Sequence, residues 1–181
     1  MSNVAYAHTA LQPKLPLKLL FICTHNRCRS ILAEAITSEI GGGLLQAASA
    51  GSEPAGEIHP VTLRSLERHG IPATGLRSKA LDELEQFSPD FVIAVCDKAA
   101  AETCPLWSGK IRPFHWGLMD PSALTSDEAA RDQAFDQIIA TLTKRLRWLR
   151  AGVEQGLDFQ GLAMLISAMG NTKTAKVDAQ R

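Results

Sequence analysis

An apolar segment from Leu17 to Ile22 passes through one short loop directly into an apolar pattern of helical period, Ile31, Leu32, Ala35, Ile36 and Ile40. The loop reads Cys23-Thr24-His25-Asn26-Arg27-Cys28-Arg29-Ser30. A strand end is thereby set against a helix start, where backbone N–H groups lack partners and the helix dipole adds positive potential. Such a turn is an anion site, and this one has Cys23 at its entrance and Arg29 six residues later. A cysteine near a helix N-terminus and an arginine has a stabilised thiolate, the nucleophilic form. The guanidinium fork of Arg29 matches the oxygens of a tetrahedral oxyanion. The five residues between them let the loop curl around one such anion with its amides inward. Burial of an inert cysteine would explain neither the Arg29-Ser30 ending nor the helix that starts there.

A chain of 181 residues suits one domain with a substantial core. With 45% hydrophobic and 21% charged residues it has the composition of a soluble globular protein. Its formal net charge of zero does not indicate a broad basic face for nucleic acid. No apolar run approaches a membrane span, and Met1-Ser2-Asn3-Val4 lacks the features of a signal peptide. Four cysteines without a secretion signal point to a reducing cytoplasm, where cysteines are catalytic or metal-binding rather than structural disulfides. Their positions, 23, 28, 96 and 104, contain no Cys-x2-Cys pair, so no structural metal site is expected.

Residues 1–16, with Pro13 and Pro16, read as a flexible leader. Leu17–Cys23 is the first strand, nearly continuous in apolar residues as a buried parallel strand is. A helix from Ser30 ends at Gly41-Gly42-Gly43, and Leu44–Ala50 is the second strand. His59-Pro60 opens a second helix with a stop at Gly70, and Ser78–Phe87 is expected to hold another short helix. Asp90–Cys96 is the third strand and Phe114–Leu118 a short fourth. The longest helical pattern runs from Thr125 to Arg150. A further helix is expected from Leu157 to Met169, followed by a polar, disordered tail over 171–181. Strands alternating with helices predict an α/β fold, an open four-stranded parallel sheet flanked by helices. Ligands of such sheets bind at the carboxyl ends of the strands, where Cys23, Cys96 and Asp120 all fall.

Cys96 ends a strand, and Cys104 lies eight residues on, after Ala99-Ala100-Ala101. Two readings stand side by side. Both are small buried apolar residues, as free cysteines commonly are, or both belong to a redox relay. In the relay a second thiol attacks an oxidised adduct on Cys23, and a third carries the resulting disulfide to the surface. Such exchange needs Cα separations below about 7 Å, so the 97–104 segment has to move.

The loop, with Ser30-Ile31-Leu32-Ala33-Glu34-Ala35, Ser49-Ala50-Gly51, Val95-Cys96-Asp97, His115-Trp116-Gly117 and Asp120-Pro121, resembles the low-molecular-weight protein-tyrosine phosphatase superfamily and, within it, the arsenate reductases. The resemblance covers roughly residues 17–150, leaving 151–181 as a C-terminal extension. It implies that the Cys23 thiolate attacks arsenate, for which phosphate and sulfate are analogues. It further implies that Cys96 then attacks Cys23 as arsenite leaves, and that Cys104 resolves the disulfide, with Cys28 the alternative final thiol. No bound cofactor is implied. The external reductant is thioredoxin, or glutaredoxin with glutathione, and the molecule is a monomer. Asp120-Pro121 matches the loop carrying the family's general acid, which protonates the leaving oxygen; the bland reading is an Asp-Pro turn. His115 and Trp116 read as packing near the site.

Departures from the pattern sharpen the reading. Ser122 and Ala123 follow Asp120-Pro121 where the tyrosine phosphatases carry tyrosines, and the only tyrosine of the chain is Tyr6. That argues against phosphotyrosine as the main substrate. The rival enzyme is nonetheless a low-molecular-weight phosphatase using Cys23, Arg29 and Asp120. A non-enzymatic rival is a sensor that holds trivalent arsenic on its thiols. Arg27 replaces a small or apolar residue and either adds positive field at the anion site or points to solvent. Asn26 and Ser30 match residues that hold the loop and hydrogen-bond the nucleophile. Some family members bind potassium behind the loop; Asn26, Glu34 and Ser49 match part of that site, but the acidic ligand aligns with Lys79. An ammonium then takes the cation's place, and no potassium requirement is expected.

Overall fold

The computed structural model describes residues 11–96, 112–124 and 127–171. Four parallel strands form one sheet, β1 (Leu17–Cys23), β2 (Leu45–Gly51), β3 (Phe91–Ala94) and β4 (Phe114–His115), in the order β2-β1-β3-β4. The helices are α1 (Arg29–Ile40), α2 (Pro60–Arg68), α3 (Glu128–Glu154) and α4 (Phe159–Asn171). This is the open four-stranded parallel α/β arrangement that the alternation of patterns predicts.

β1 is the central strand, and every residue in it except Lys18 is buried. That burial explains its near-continuous apolar sequence. Its neighbours lie on opposite sides: Cys23 is level with Gly51 of β2, and Ile22 with Ala94 of β3. The chain leaves β1 toward one edge and later returns to the other, so a crevice opens beyond the carboxyl ends of β1 and β3. Helix α1 starts at that crevice. It buries Ser30, Ile31, Leu32, Ala33, Ala35, Ile36 and Thr37, so it is wrapped on most sides rather than lying at the surface. Helix α3 packs along α1 and α2, and α4 packs on α3 and β4. Leu162, Ile166 and Met169 of α4 join the core. The leader touches the same end of the molecule, with Leu11 O accepting from Phe159 N at 3.3 Å. None of the described helices is long and apolar enough to cross a membrane.

Several boundaries differ from the sequence reading. The helix expected over Ser78–Phe87 is only a 3-10 turn, Asp82–Leu84. The chain before it is extended instead, with Gly51 bridging to Ala80 and Gly51 N donating to Lys79 O at 3.0 Å. Pairing to the end of β2 overrides the local helical tendency there. Strand β4 stops at His115 because the next residue, Trp116, turns fully inward. Its indole N–H donates to Ile166 O at 2.9 Å, and its ring lies 6.2 Å from that of Phe21. Helix α3 continues past Arg150 to Glu154. The tail after 171 and most of the leader lie outside the described residues.

Candidate active site

The loop from Cys23 to Ser30 is held from behind by its carbonyls. Thr24 O accepts from Glu53 N at 2.9 Å and His25 O from Ala55 N at 3.0 Å. Arg27 O accepts from His59 N at 3.1 Å and from the Thr62 hydroxyl at 3.0 Å. In a trans peptide the N–H of the next residue points opposite to the carbonyl. The amides of His25, Asn26 and Cys28 are therefore turned to the inside of the loop. Cys28 occupies the N-cap of α1 without a side-chain cap bond, which leaves the helix N–H groups open toward the same space. The loop thus turns backbone N–H groups toward the space in front of Cys23.

Cys23 sits on its floor, 4% exposed. Its sulfur accepts from Asn26 N at 3.2 Å and lies 2.9 Å from Ser30 Oγ. Asn26 has φ +45°, the left-handed region that asparagine tolerates better than most residues. Its amide nitrogen donates to Ser30 Oγ and to Ser49 Oγ, both at 2.8 Å, and its Oδ1 accepts from Lys79 N at 2.8 Å. Gly51 closes the back: a Cβ there would stand 2.6 Å from Thr24 O and 3.1 Å from Asn26 Cβ. Behind Ser49, the Glu34 carboxylate accepts the Ser49 hydroxyl. The Lys79 ammonium lies 3.1 Å from Glu34 Oε2 and donates to Arg77 O at 3.3 Å.

The mouth is lined by His25, Arg27, Cys28, Arg29, Asp120 and Ser122. Arg29 donates from Nη1 to Leu118 O at 2.9 Å and from Nη2 to Asp120 Oδ2 at 3.1 Å. The other Asp120 oxygen accepts both Ser122 N at 3.0 Å and the Ser122 hydroxyl at 2.7 Å. Burial pushes the Asp120 carboxyl up, but the Ser122 hydroxyl and the Arg29 charge outweigh it and hold it below the ordinary carboxylate value. Burial pushes the Cys28 thiol above its ordinary value, with only partial relief from Thr62. His59 is pushed below the usual imidazole value by burial and by the charges of Arg27 and Arg131. Arg27 stands at the mouth, and its charge is among the causes that lower Asp120, Cys28 and His59.

Cys96 lies just past β3 and is 3% exposed; its Sγ is 3.8 Å from Thr24 Oγ1 in the loop. Cys23 and Cys28 are free thiols, and no disulfide joins either of them to Cys96. Cys104 lies outside the described residues. The structure therefore brings together Thr24, His25, Asn26, Arg27, Cys28, Arg29 and Ser30 with Cys23, Cys96 and Asp120. Sequence reasoning missed Ser122 as a partner of Asp120, although Asp-Pro-Ser is a pattern in which the aspartate accepts from the residue two positions on. It also missed Thr62 and His59, whose support of the Arg27 carbonyl leaves no local signature.

The matched family is described as low molecular weight phosphotyrosine protein phosphatase, and its profile spans residues 18–158. The arsenate reductase of Oceanobacillus iheyensis is 29% identical over 129 residues, covering 71% of this chain and 91% of that protein. A solved arsenate reductase in its phosphate-binding state superposes with a TM-score of 0.60 at 26% identity, covering 75% of this chain and 98% of that one. The thioredoxin-dependent arsenate reductase of Corynebacterium glutamicum superposes with a TM-score of 0.59 at 29% identity, covering 86% of this chain and 70% of that one. With the profile running from the first strand through the acid loop and the long helix, the chain belongs to the low molecular weight phosphotyrosine protein phosphatase family.

Proposed function

We propose that this protein reduces arsenate to arsenite by a thiol relay. The Cys23 thiolate attacks arsenic and a hydroxyl leaves as water, taking its proton from Asp120. The Cys96 thiolate then attacks the Cys23 sulfur. The S–S bond forms as the S–As bond breaks; its electron pair stays on arsenic, which becomes trivalent and departs as arsenite. Cys104 attacks Cys96 and frees the Cys23 thiolate. An external dithiol reduces the Cys96–Cys104 disulfide.

The observation that carries this reading is the thiol of Cys96, one strand over from Cys23 and 3.8 Å from the loop hydroxyl of Thr24. Phosphate-ester hydrolysis has no use for a second thiol there. Cys28 is the weaker candidate for the final thiol, because burial pushes its thiol above the ordinary value and so disfavours the thiolate. The thioredoxin dependence of the Corynebacterium glutamicum relative supports thioredoxin over glutaredoxin with glutathione as the reductant. The same reading has the protein cytoplasmic and monomeric, with a catalytic unit over 17–150, a leader before it and an extension after it. It also includes no requirement for potassium, supported by the Lys79 ammonium beside Glu34.

A second reading is favoured by the Arg29–Asp120–Ser122 arrangement, which equally suits hydrolysis of a phosphate ester through a Cys23 phosphoenzyme. NADPH consumption with arsenate in a thioredoxin-coupled assay separates the two. Turnover is expected in the parent protein and lost in Cys23→Ser, Cys96→Ser and Cys104→Ser. A protein silent with thioredoxin and with glutaredoxin, yet hydrolysing a phosphate ester through Cys23, overturns the reductase reading.

A further inference from the structure

The two carboxylate oxygens of Asp120 have different surroundings. Oδ1 accepts two donors from one residue, the Ser122 amide at 3.0 Å and the Ser122 hydroxyl at 2.7 Å. Oδ2 accepts one, Arg29 Nη2 at 3.1 Å, and Arg29 lines the mouth together with Asp120. A carboxylate oxygen offers two lone pairs, so Oδ1 is filled and Oδ2 keeps one open. The Ser122 amide and the Arg29 guanidinium can only donate, so neither can take a proton's place as an acceptor.

A proton taken up by Asp120 therefore goes to Oδ2, beside the guanidinium at the mouth. Without the Ser122 hydroxyl, Oδ1 would have an open lone pair on the side of its own turn, and a proton there faces away from Arg29. The turn does not need the hydroxyl. It is closed by backbone bonds, with Ala123 N donating to Asp120 O at 3.3 Å and Leu124 N to Pro121 O at 3.4 Å, and by the Ser122 amide. The other charged and titratable groups around Asp120 are Arg27 of the loop, Cys28 at the start of α1 and His59 at the start of α2. Among the described residues none of them donates to Oδ1, so the hydroxyl alone separates the two oxygens.

We infer that Ser122 is a positioning residue for the acid: its hydroxyl fills Oδ1 and leaves Oδ2 as the oxygen that carries the proton to the leaving group. In that step the Oδ2–H bond breaks as the proton bonds to the leaving oxygen, which departs as water. The carboxylate left behind keeps all three donors, two from Ser122 and one from Arg29. The inference rests on the reading of Asp120 as the general acid.

The test compares the parent protein with Ser122→Ala and Ser122→Thr in two measurements. The first is the titration of the Asp120 carboxyl carbon by NMR in the presence of phosphate. Ser122→Ala is expected to titrate at higher pH, because a hydrogen bond to the charged form is lost, and Ser122→Thr as the parent does. The second is arsenite formation from arsenate in a single turnover, with reduced protein in excess. A carboxyl that merely titrates higher is more fully protonated at neutral pH and would leave this step as fast or faster. A misdirected proton instead slows Ser122→Ala about tenfold, part of what a positioned acid supplies, and the threonine hydroxyl restores the rate. An unshifted titration or an unchanged rate in Ser122→Ala overturns the inference, and so does a Ser122→Thr protein as slow as Ser122→Ala. Asp120→Asn separates the two levels. If it is as fast as the parent, the acid reading itself fails; if it is slow while Ser122→Ala behaves as the parent, only the role of Ser122 fails.

Discussion

Arg29 reaches Asp120 at 3.1 Å while its other terminal nitrogen holds the Leu118 carbonyl at 2.9 Å. The guanidinium proposed to clamp an oxyanion also holds the segment that carries Asp120. An anion in the loop competes for that guanidinium and brings negative charge up to Asp120. Both effects raise a carboxyl that is otherwise held low. Binding of phosphate is therefore expected to be coupled to proton uptake. Calorimetry in buffers of different ionisation enthalpy reads the uptake directly, and Asp120→Asn is expected to abolish it. Binding without uptake by the parent protein would contradict the role given to Asp120.

The same depressed carboxyl has a consequence for stability. A group whose folded-state pKa lies below its unfolded value stabilises the fold above the unfolded value, and that stability is lost as pH falls through the folded one. The Asp120 side chain is 39% exposed, so solvent screening keeps its share below about 1 kcal/mol. Urea unfolding is expected to show Asp120→Asn slightly less stable than the parent at neutral pH, with the gap closing in acid. A gap that widens in acid has the wrong sign.

Gly51→Ala is expected to damage the loop without touching any reacting group. Its Cβ meets Thr24 O at 2.6 Å, a backbone atom that cannot step aside. Overpacking of this kind costs about 1–3 kcal/mol. Here the displaced backbone belongs to the loop proposed to hold an oxyanion, so phosphate affinity is expected to fall together with thermal stability. A variant less stable but binding phosphate normally would show that the loop absorbs the push.

Arg145 is 4% exposed on α3, with its guanidinium 5.4 Å from the Trp116 ring and Nη1 without a hydrogen-bond partner among the described residues. Burial pushes its pKa down. Among the described residues no carboxylate is paired with it, and an apolar side chain of similar length removes the cost of burying the charge. Arg145→Met is therefore expected to unfold at equal or higher urea concentration. Arg145→Lys is expected to unfold earlier, because an ammonium is more strongly hydrated and lacks the planar face that stacks on Trp116. A large loss in Arg145→Met would mean that the guanidinium holds a group the stacking does not reveal.

The frame of the protein was legible because its signals are local. An apolar run ending in Cys23 and a helical period from Ile31 place a strand, a loop and a helix with no reference to the rest of the chain. The stop of α1 at Gly41 follows from similarly short-range chemistry. The segment before Asp82 was misread because what holds it extended is not local. It pairs with the end of β2, some thirty residues earlier in the sequence, and puts Lys79 N against Asn26 Oδ1.

The sequence by itself determined that a cysteine and an arginine share one turn between a strand end and a helix start, since that needs only the spacing of residues 23 to 30 and the helix that follows. Tertiary structure alone decided what surrounds that turn. The parallel register of β1 and β3 brings Cys96 beside Thr24, the chain after Trp116 swings Asp120 onto Arg29, and the strand-like stretch at Lys79 delivers an ammonium to Glu34. Each of these contacts joins residues more than forty positions apart. Their energies depend on burial and direction, which no local pattern encodes.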